Sequence, residues 1–125
     1  MIFNHIGIFV NDIELGKTFF NNLLEIRNYS EKIDDEKLGV SVLFLYDKKN
    51  ICYEIVAPFS KSNPVENVLR SKKNVLNHIA YKTNAFFESI KNLENNGCRL
   101  ISQPQEALAF NNSKIAFLLT PLNFI

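Results

Sequence analysis

Asn4-His5-Ile6-Gly7 and Asn77-His78-Ile79-Ala80 are near-copies of one tetrapeptide set 73 positions apart, and their flanks make the pair more than a coincidence. Residues 2–10 (IFNHIGIFV) form a β-branched and aromatic run closed by Asn11-Asp12, which is the chemistry of a strand turning into a capped helix. Over 13–24 the apolar residues Ile13, Phe19, Phe20, Leu23 and Leu24, with polar residues between them, predict an amphipathic helix. A charged stretch, 31–37, reads as a loop. Two apolar runs follow, 39–46 and 51–57, separated by the turn residues Asp47-Lys48-Lys49-Asn50. They predict a hairpin that Pro58 ends, because proline cannot donate to a ladder.

The same order begins again at 76–83. A strand ends at Asn84, a helix covers about 85–96 and stops at Gly97, and a short strand follows at 98–101. After a polar loop containing Pro104 comes a strand at 114–119. The offset of 73 also places Asn84 on Asn11 and Phe86 on Ile13. Strand, helix, then strands, twice over, predicts an α+β fold made by duplication.

A chain of 125 residues is too short for two independent cores of ordinary size. The expectation is one domain, with module one at about 1–60, module two at about 75–125 and a linker at 61–74. With 46% hydrophobic and 22% charged residues the chain can pack a core and is not disordered. A net charge of +1 creates no field for a phosphate backbone or an anionic membrane, so neither nucleic acid nor membrane is an expected partner. No apolar run approaches the ~20 residues of a membrane-spanning helix. The start of the sequence lacks a signal-peptide pattern, so a cytoplasmic location is expected. Cys52 and Cys98, without a CxxC pair, read as small packed thiols.

The repeat makes the chain's two histidines equivalent. Strand alternation puts His5 on a face with Phe3, Gly7 and Phe9, while Ile2, Ile6, Ile8 and Val10 take the other, which suits a helix layer. With Gly7 beside one histidine and Ala80 beside the other, the histidine face reads as an open floor. Two imidazoles from symmetry-related strands can converge on one metal ion. Glu54, alone in the apolar strand Ile51-Cys52-Tyr53-Glu54-Ile55-Val56, calls for a cation because an unpaired buried charge is costly. The same offset carries Glu54 to position 127, two past Ile125. Taken singly, each histidine reads as a hydrogen-bonded core residue rather than a ligand, and Glu54 as a group facing solvent at a sheet surface. Taken together, His5, Glu54 and His78 read as a metal site.

At these residues the sequence resembles the vicinal-oxygen-chelate superfamily, the fold of glyoxalases, bleomycin-resistance proteins and extradiol dioxygenases. The resemblance rests on His5-Ile6-Gly7-Ile8 with Asp12, on 39–42 (GVSV) leading to Tyr53-Glu54-Ile55-Val56-Ala57-Pro58, on Asn77-His78-Ile79-Ala80, and on 114–118 (KIAFL). It implies paired βαβββ modules forming a cupped, mostly antiparallel sheet around one divalent ion, with cobalt, nickel, zinc, manganese and iron not distinguished. Within the superfamily, 57–65 (APFSKSNPV) and a short helix to about Leu69 look like the corresponding segment of methylmalonyl-CoA epimerases. By that similarity His5, Glu54 and His78 are metal ligands. The family's last ligand, a Glu on the final strand, has no counterpart before Ile125, and Val42 stands where several epimerases carry an acid/base Glu.

The resemblance implies a small-molecule substrate, either an acyl-CoA or a glutathione hemithioacetal. The activity implied is proton transfer next to a carbonyl through an enolate, epimerase-like or, alternatively, lactoylglutathione-lyase-like. Glu54 is then the catalytic carboxylate, and Gly7, Ala80 and Phe117 line the substrate pocket, with Phe9 and Phe44 as further candidates. Two histidines and one carboxylate also resemble the ligand set of non-haem iron enzymes, although dioxygenases of the superfamily are usually longer and richer in polar site residues. In another class stands a binding protein whose cup holds a hydrophobic or antibiotic ligand and performs no chemistry. The last strand, expected from about Asn123, reaches Ile125 after three residues, so a second copy closing the sheet, a homodimer, is expected.

Overall fold

A computed structural model describes residues 1–60, 63, 65–71, 76–122 and 125. Its elements are β1 (Ile2–Phe9), α1 (Ile13–Leu23), β2 (Ile26–Tyr29), β3 (Ile33–Asp35), β4 (Val40–Asp47), β5 (Cys52–Pro58), α2 (Val65–Ser71), β6 (Leu76–Lys82), α3 (Phe86–Asn95), β7 (Arg99–Leu100), β8 (Gln105–Ala107), a 3₁₀ turn (Leu108–Phe110), β9 (Ser113–Ile115) and β10 (Leu118–Leu119). The fold is α+β, and its main sheet runs β2-β4-β5-β1-β6 with β3 also paired to β4. Among the described residues only β1 and β5 pair in parallel, and the other pairings are antiparallel.

Local chemistry explains the elements that frame the site. Asp12 caps α1 by accepting from the Leu15 N–H at 2.9 Å, which fixes where β1 ends and the helix begins. At the β4–β5 turn the Asp47 carboxylate accepts from the N–H groups of Lys49 and Ile51, and Asn50 takes a positive φ of 60°. The hairpin bonds β4 to β5 from Val40↔Pro58 to Tyr46↔Cys52.

Both faces of this hairpin are buried, which is why its strands read as unbroken apolar runs. Val40, Val42, Phe44, Cys52 and Val56 pack on one side with Val65 of α2, joined by Phe9, Leu69 and Phe110. Leu43, Leu45, Ile55 and Ala57 pack on the other side with Ile13 of α1, joined by Val10 and Phe20. Glu54 interrupts the first of these faces. The stretch expected to link the halves contains α2, whose Val65 is fully buried.

The second half repeats the pairing of the first with shorter ladders. α3 begins at Phe86, 73 residues after Ile13 begins α1. The β10–β7 pair echoes β4–β2, and β9–β8 echoes β4–β3. Asp35 ties the halves together, its buried carboxylate accepting from Leu38 N–H at 3.0 Å and from Leu108 N–H, 73 residues away, at 3.1 Å.

Four expectations need correction. The charged stretch 31–37 is not simply a loop, since it contains β3, and the loop around Pro104 runs into β8. Both are three-residue strands, too short to show an alternating pattern, and each is fixed by pairing with the strand that follows it in the chain. The strand expected over 114–119 is two pieces, because β9 pairs with β8 while β10 pairs with β7, and the chain breaks between them. The isoleucine face is only partly covered, with Ile2 75% exposed. The final strand expected from Asn123 falls on 123 and 124, outside the described residues, although the Ile125 carbonyl accepts from the Ile79 N–H at 2.9 Å. No helix among the described residues is long and apolar enough to cross a membrane.

Candidate metal centre

The site lies where β5, β1 and β6 run side by side. The register places Gly7 between Glu54 of β5 and His78 of β6, and pairs His5 with Ala80. The three expected ligands therefore come together from three adjacent strands. His5 Nε2 lies 3.1 Å from His78 Nε2, and Glu54 Oε2 lies 3.3 Å from the first and 3.2 Å from the second. All three residues are buried, His5 at 3%, Glu54 at 5% and His78 at 9% exposure.

These distances suit a shared cation. Donor atoms about 2.1 Å from one ion stand roughly 3.0 Å apart at right angles and roughly 3.4 Å apart at the tetrahedral angle. The three measured separations fall inside that window. Two imidazole nitrogens and one carboxylate oxygen are also a donor set that first-row divalent ions accept. Among the described residues, His5, Glu54 and His78 are the one group of potential ligands close enough to hold an ion.

Without an ion the three groups form a hydrogen-bonded cluster in which each Nε2 donates to Glu54 the proton that a bound ion would replace. Burial alone pushes the Glu54 carboxyl up, but hydrogen bonds from His5 and His78, together with their charge, outweigh it and hold the group at about 2, against an ordinary 4.5. A carboxyl lowered by folding stabilises the fold fully above its ordinary value, and that stabilisation fades as pH falls toward the folded value. In ion-free protein, wild type is thus expected to exceed Glu54→Gln in stability at pH 6. Urea unfolding at pH 6, 4 and 3 should show the margin shrink by up to roughly 3 kcal/mol as acid protonates the carboxylate. A margin independent of pH would contradict the assignment.

The floor expected to be open is covered. The Phe110 ring stacks on His5, with centroids 5.6 Å apart and planes 10° apart, and Phe44 meets the same imidazole edge-on at 6.0 Å. Phe117 stands edge-on to His78 at 5.8 Å. Phe110 was not a sequence candidate, because its place in a 3₁₀ turn between the paired strands β8 and β9 carries no periodic signal. Gly7 serves as the seat of the His78 ring, since a Cβ added there would overlap that ring. Ala80 faces His5 across the ladder. Cys52 packs on the Glu54 side of the hairpin, and burial pushes its thiol up, which keeps it protonated. A cavity of about 660 Å³ opens beside α2 between Asn11, Pro58, Phe59, Ser60, Leu69 and Arg70, and the three ligand residues do not line it.

Two more residues escaped the sequence reading. The outer nitrogen of each imidazole meets the side-chain oxygen of the residue before it. His5 Nδ1 is 2.7 Å from Asn4 Oδ1, and His78 Nδ1 is 3.1 Å from Asn77 Oδ1. The matched asparagines in the repeat were the available signal.

A family model described as the Glyoxalase/Bleomycin resistance protein/Dioxygenase superfamily matches residues 4–117, nearly the whole chain and both histidines. The chain belongs to this superfamily. Among curated relatives, an uncharacterised protein, YqjC, of Bacillus subtilis (strain 168) is 28% identical over 117 residues, covering 92% of this chain and 80% of that protein. The mitochondrial methylmalonyl-CoA epimerase of Homo sapiens is 27% identical over 101 residues, covering 80% of this chain and 56% of the epimerase. Among solved structures, a hypothetical protein from Bacillus halodurans C-125 superposes with a TM-score of 0.77 at 25% identity, over 93% of this chain and 82% of that one. The methylmalonyl-CoA epimerase of Mycobacterium tuberculosis gives 0.74 at 19% identity, over 93% and 77%, and shows that the fold is shared. The superfamily fold and the likeness to methylmalonyl-CoA epimerases are thus as the sequence predicted.

Proposed function

We propose that this protein is a divalent-metal-dependent enzyme that moves a proton on carbon next to a carbonyl, as a methylmalonyl-CoA epimerase does. The observation that carries the reading is the convergence of His5 Nε2, His78 Nε2 and Glu54 Oε2 within 3.3 Å of one another in a buried setting. Membership of the superfamily and the recurrence of epimerases among relatives and structural neighbours support it, including one epimerase solved with methylmalonyl-CoA.

His5, Glu54 and His78 would hold the ion. A divalent ion supplies Lewis acidity, polarising a carbonyl oxygen so that the neighbouring C–H becomes acidic. The protein's own share is to exclude water, through Phe44, Phe110 and Phe117 around the imidazoles, and to handle the proton. Glu54 is the carboxylate proposed for that task. Because its Oε2 converges with the two Nε2 atoms, holding the ion is the first of its two roles. Val42, 4% exposed in the core, has no group that can exchange a proton, and this observation favours the second reading, a binding protein without chemistry.

The test is cobalt-loaded protein incubated in deuterium oxide with methylmalonyl-CoA, in parallel with the hemithioacetal of methylglyoxal and glutathione. Epimerase-like activity predicts deuterium at the carbon next to the thioester carbonyl, with Glu54→Gln slowed at least ~100-fold. Turnover of the hemithioacetal alone would move the assignment to a lyase. Metal bound with neither substrate changed would identify a binding protein.

A further inference from the structure

Asn4 and Asn77 occupy the two irregular points of the β1–β6 ladder. Its register passes from Phe3↔Tyr81 to His5↔Ala80, skipping Asn4 in β1, and from Gly7↔His78 to Ile8↔Leu76, skipping Asn77 in β6. Each asparagine is therefore the extra residue of a β-bulge, and the two bulges sit 73 residues apart, one in each copy of the repeat. In a regular strand the residue before a histidine points to the opposite face. A bulge breaks that alternation and re-aims a side chain. Here the result is the same on both strands, with the asparagine oxygen brought to the Nδ1 of the histidine that follows it.

The chemistry of that contact is one-directional. An amide oxygen can only accept, so each Nδ1 must carry the hydrogen. In a neutral imidazole the proton on Nδ1 leaves Nε2 as a bare lone pair, and Nε2 is the atom that each ring turns toward Glu54. Resting on the metal reading above, we propose that Asn4 and Asn77 are positioning residues that lock His5 and His78 in the Nδ1–H tautomer, so that both Nε2 lone pairs face a divalent cation together. The bulges are what this placement costs the ladder, and their symmetric recurrence marks them as part of the site rather than as accidents of pairing. Partners of this kind fix ring orientation as well as tautomer.

The chain's two histidines make the test clean, because protein labelled with nitrogen-15 histidine reports on these two rings alone. In zinc-loaded wild type, long-range nitrogen–proton spectra should show both rings protonated at Nδ1 and coordinated through Nε2. Asn4→Leu and Asn77→Leu should each weaken zinc binding ~10–100-fold and lose the Nδ1–H signature of the adjacent ring. Asn4→Asp and Asn77→Asp, which keep an acceptor in place, should restore it. Either ring coordinated through Nδ1 in wild type would overturn the proposal, and so would leucine variants that bind zinc as tightly as wild type. Should a leucine variant fail to fold, the wild-type spectrum and the aspartate variants still decide. Wild type that binds no zinc, cobalt or nickel would instead sink the metal reading, and with it the purpose assigned to the two pairs.

Discussion

Wild-type protein is expected to bind about one divalent ion per chain, and His78→Ala protein to bind none. Removing this ring deletes one of three converging donors and leaves His5 and Glu54, a pair that does not enclose an ion. The effect is large because an ion that binds only the folded state stabilises it by mass action. At a free concentration about a thousand times the dissociation constant the gain is about 4 kcal/mol, which in a chain of this length raises the melting temperature on the order of 10–15 °C. Wild type titrated with cobalt, nickel or zinc should show that rise, and His78→Ala should show almost none. Elemental analysis of the two proteins purified without chelator gives the matching count. Equal thermal shifts in both proteins would remove His78 from the site.

Gly7→Ala is the second large effect, and its sign is the informative part. Inside a strand, alanine in place of glycine ordinarily stabilises by about 0.5–1 kcal/mol, because the unfolded chain loses freedom. At this position a Cβ would overlap the His78 ring, so the ring or the β1–β6 ladder must move. Overpacking of this kind costs roughly 1–3 kcal/mol. We therefore expect the variant to melt several degrees below wild type without ion, and to bind zinc at least ~10-fold more weakly because His78 Nε2 is displaced from Glu54. A variant as stable as wild type with undiminished zinc affinity would show that the ring does not rest on Gly7.

The candidate ligands were legible because symmetry and chemistry coincided in the primary structure. Two Asn-His dipeptides at a constant offset, and one carboxylate inside an apolar strand, each carried a local signal that did not depend on knowing the contacts. The helices were legible for related reasons. α1 and α3 begin within a residue of where the apolar spacing placed them, and Asp12 supplies the cap that marks the first of them. The short strands β3 and β8 were not legible, since three residues such as Ile33-Asp34-Asp35 have no intrinsic preference strong enough to announce a strand. Their pairing is decided by β4 and β9.

By itself, then, the sequence determined the α+β class and the duplication and named three candidate ligands, because periodicity, capping and residue type are properties of neighbours along the chain. Tertiary structure alone decided the rest. It brought Glu54 Oε2 and two Nε2 atoms within 3.3 Å of one another, seated a ring on Gly7, closed the floor with Phe110, and turned Asn4 and Asn77 from strand residues into partners of the histidines. Each of those outcomes depends on the register between strands far apart in sequence. A shift of one residue in that register reverses every side chain's face, and no local pattern records it.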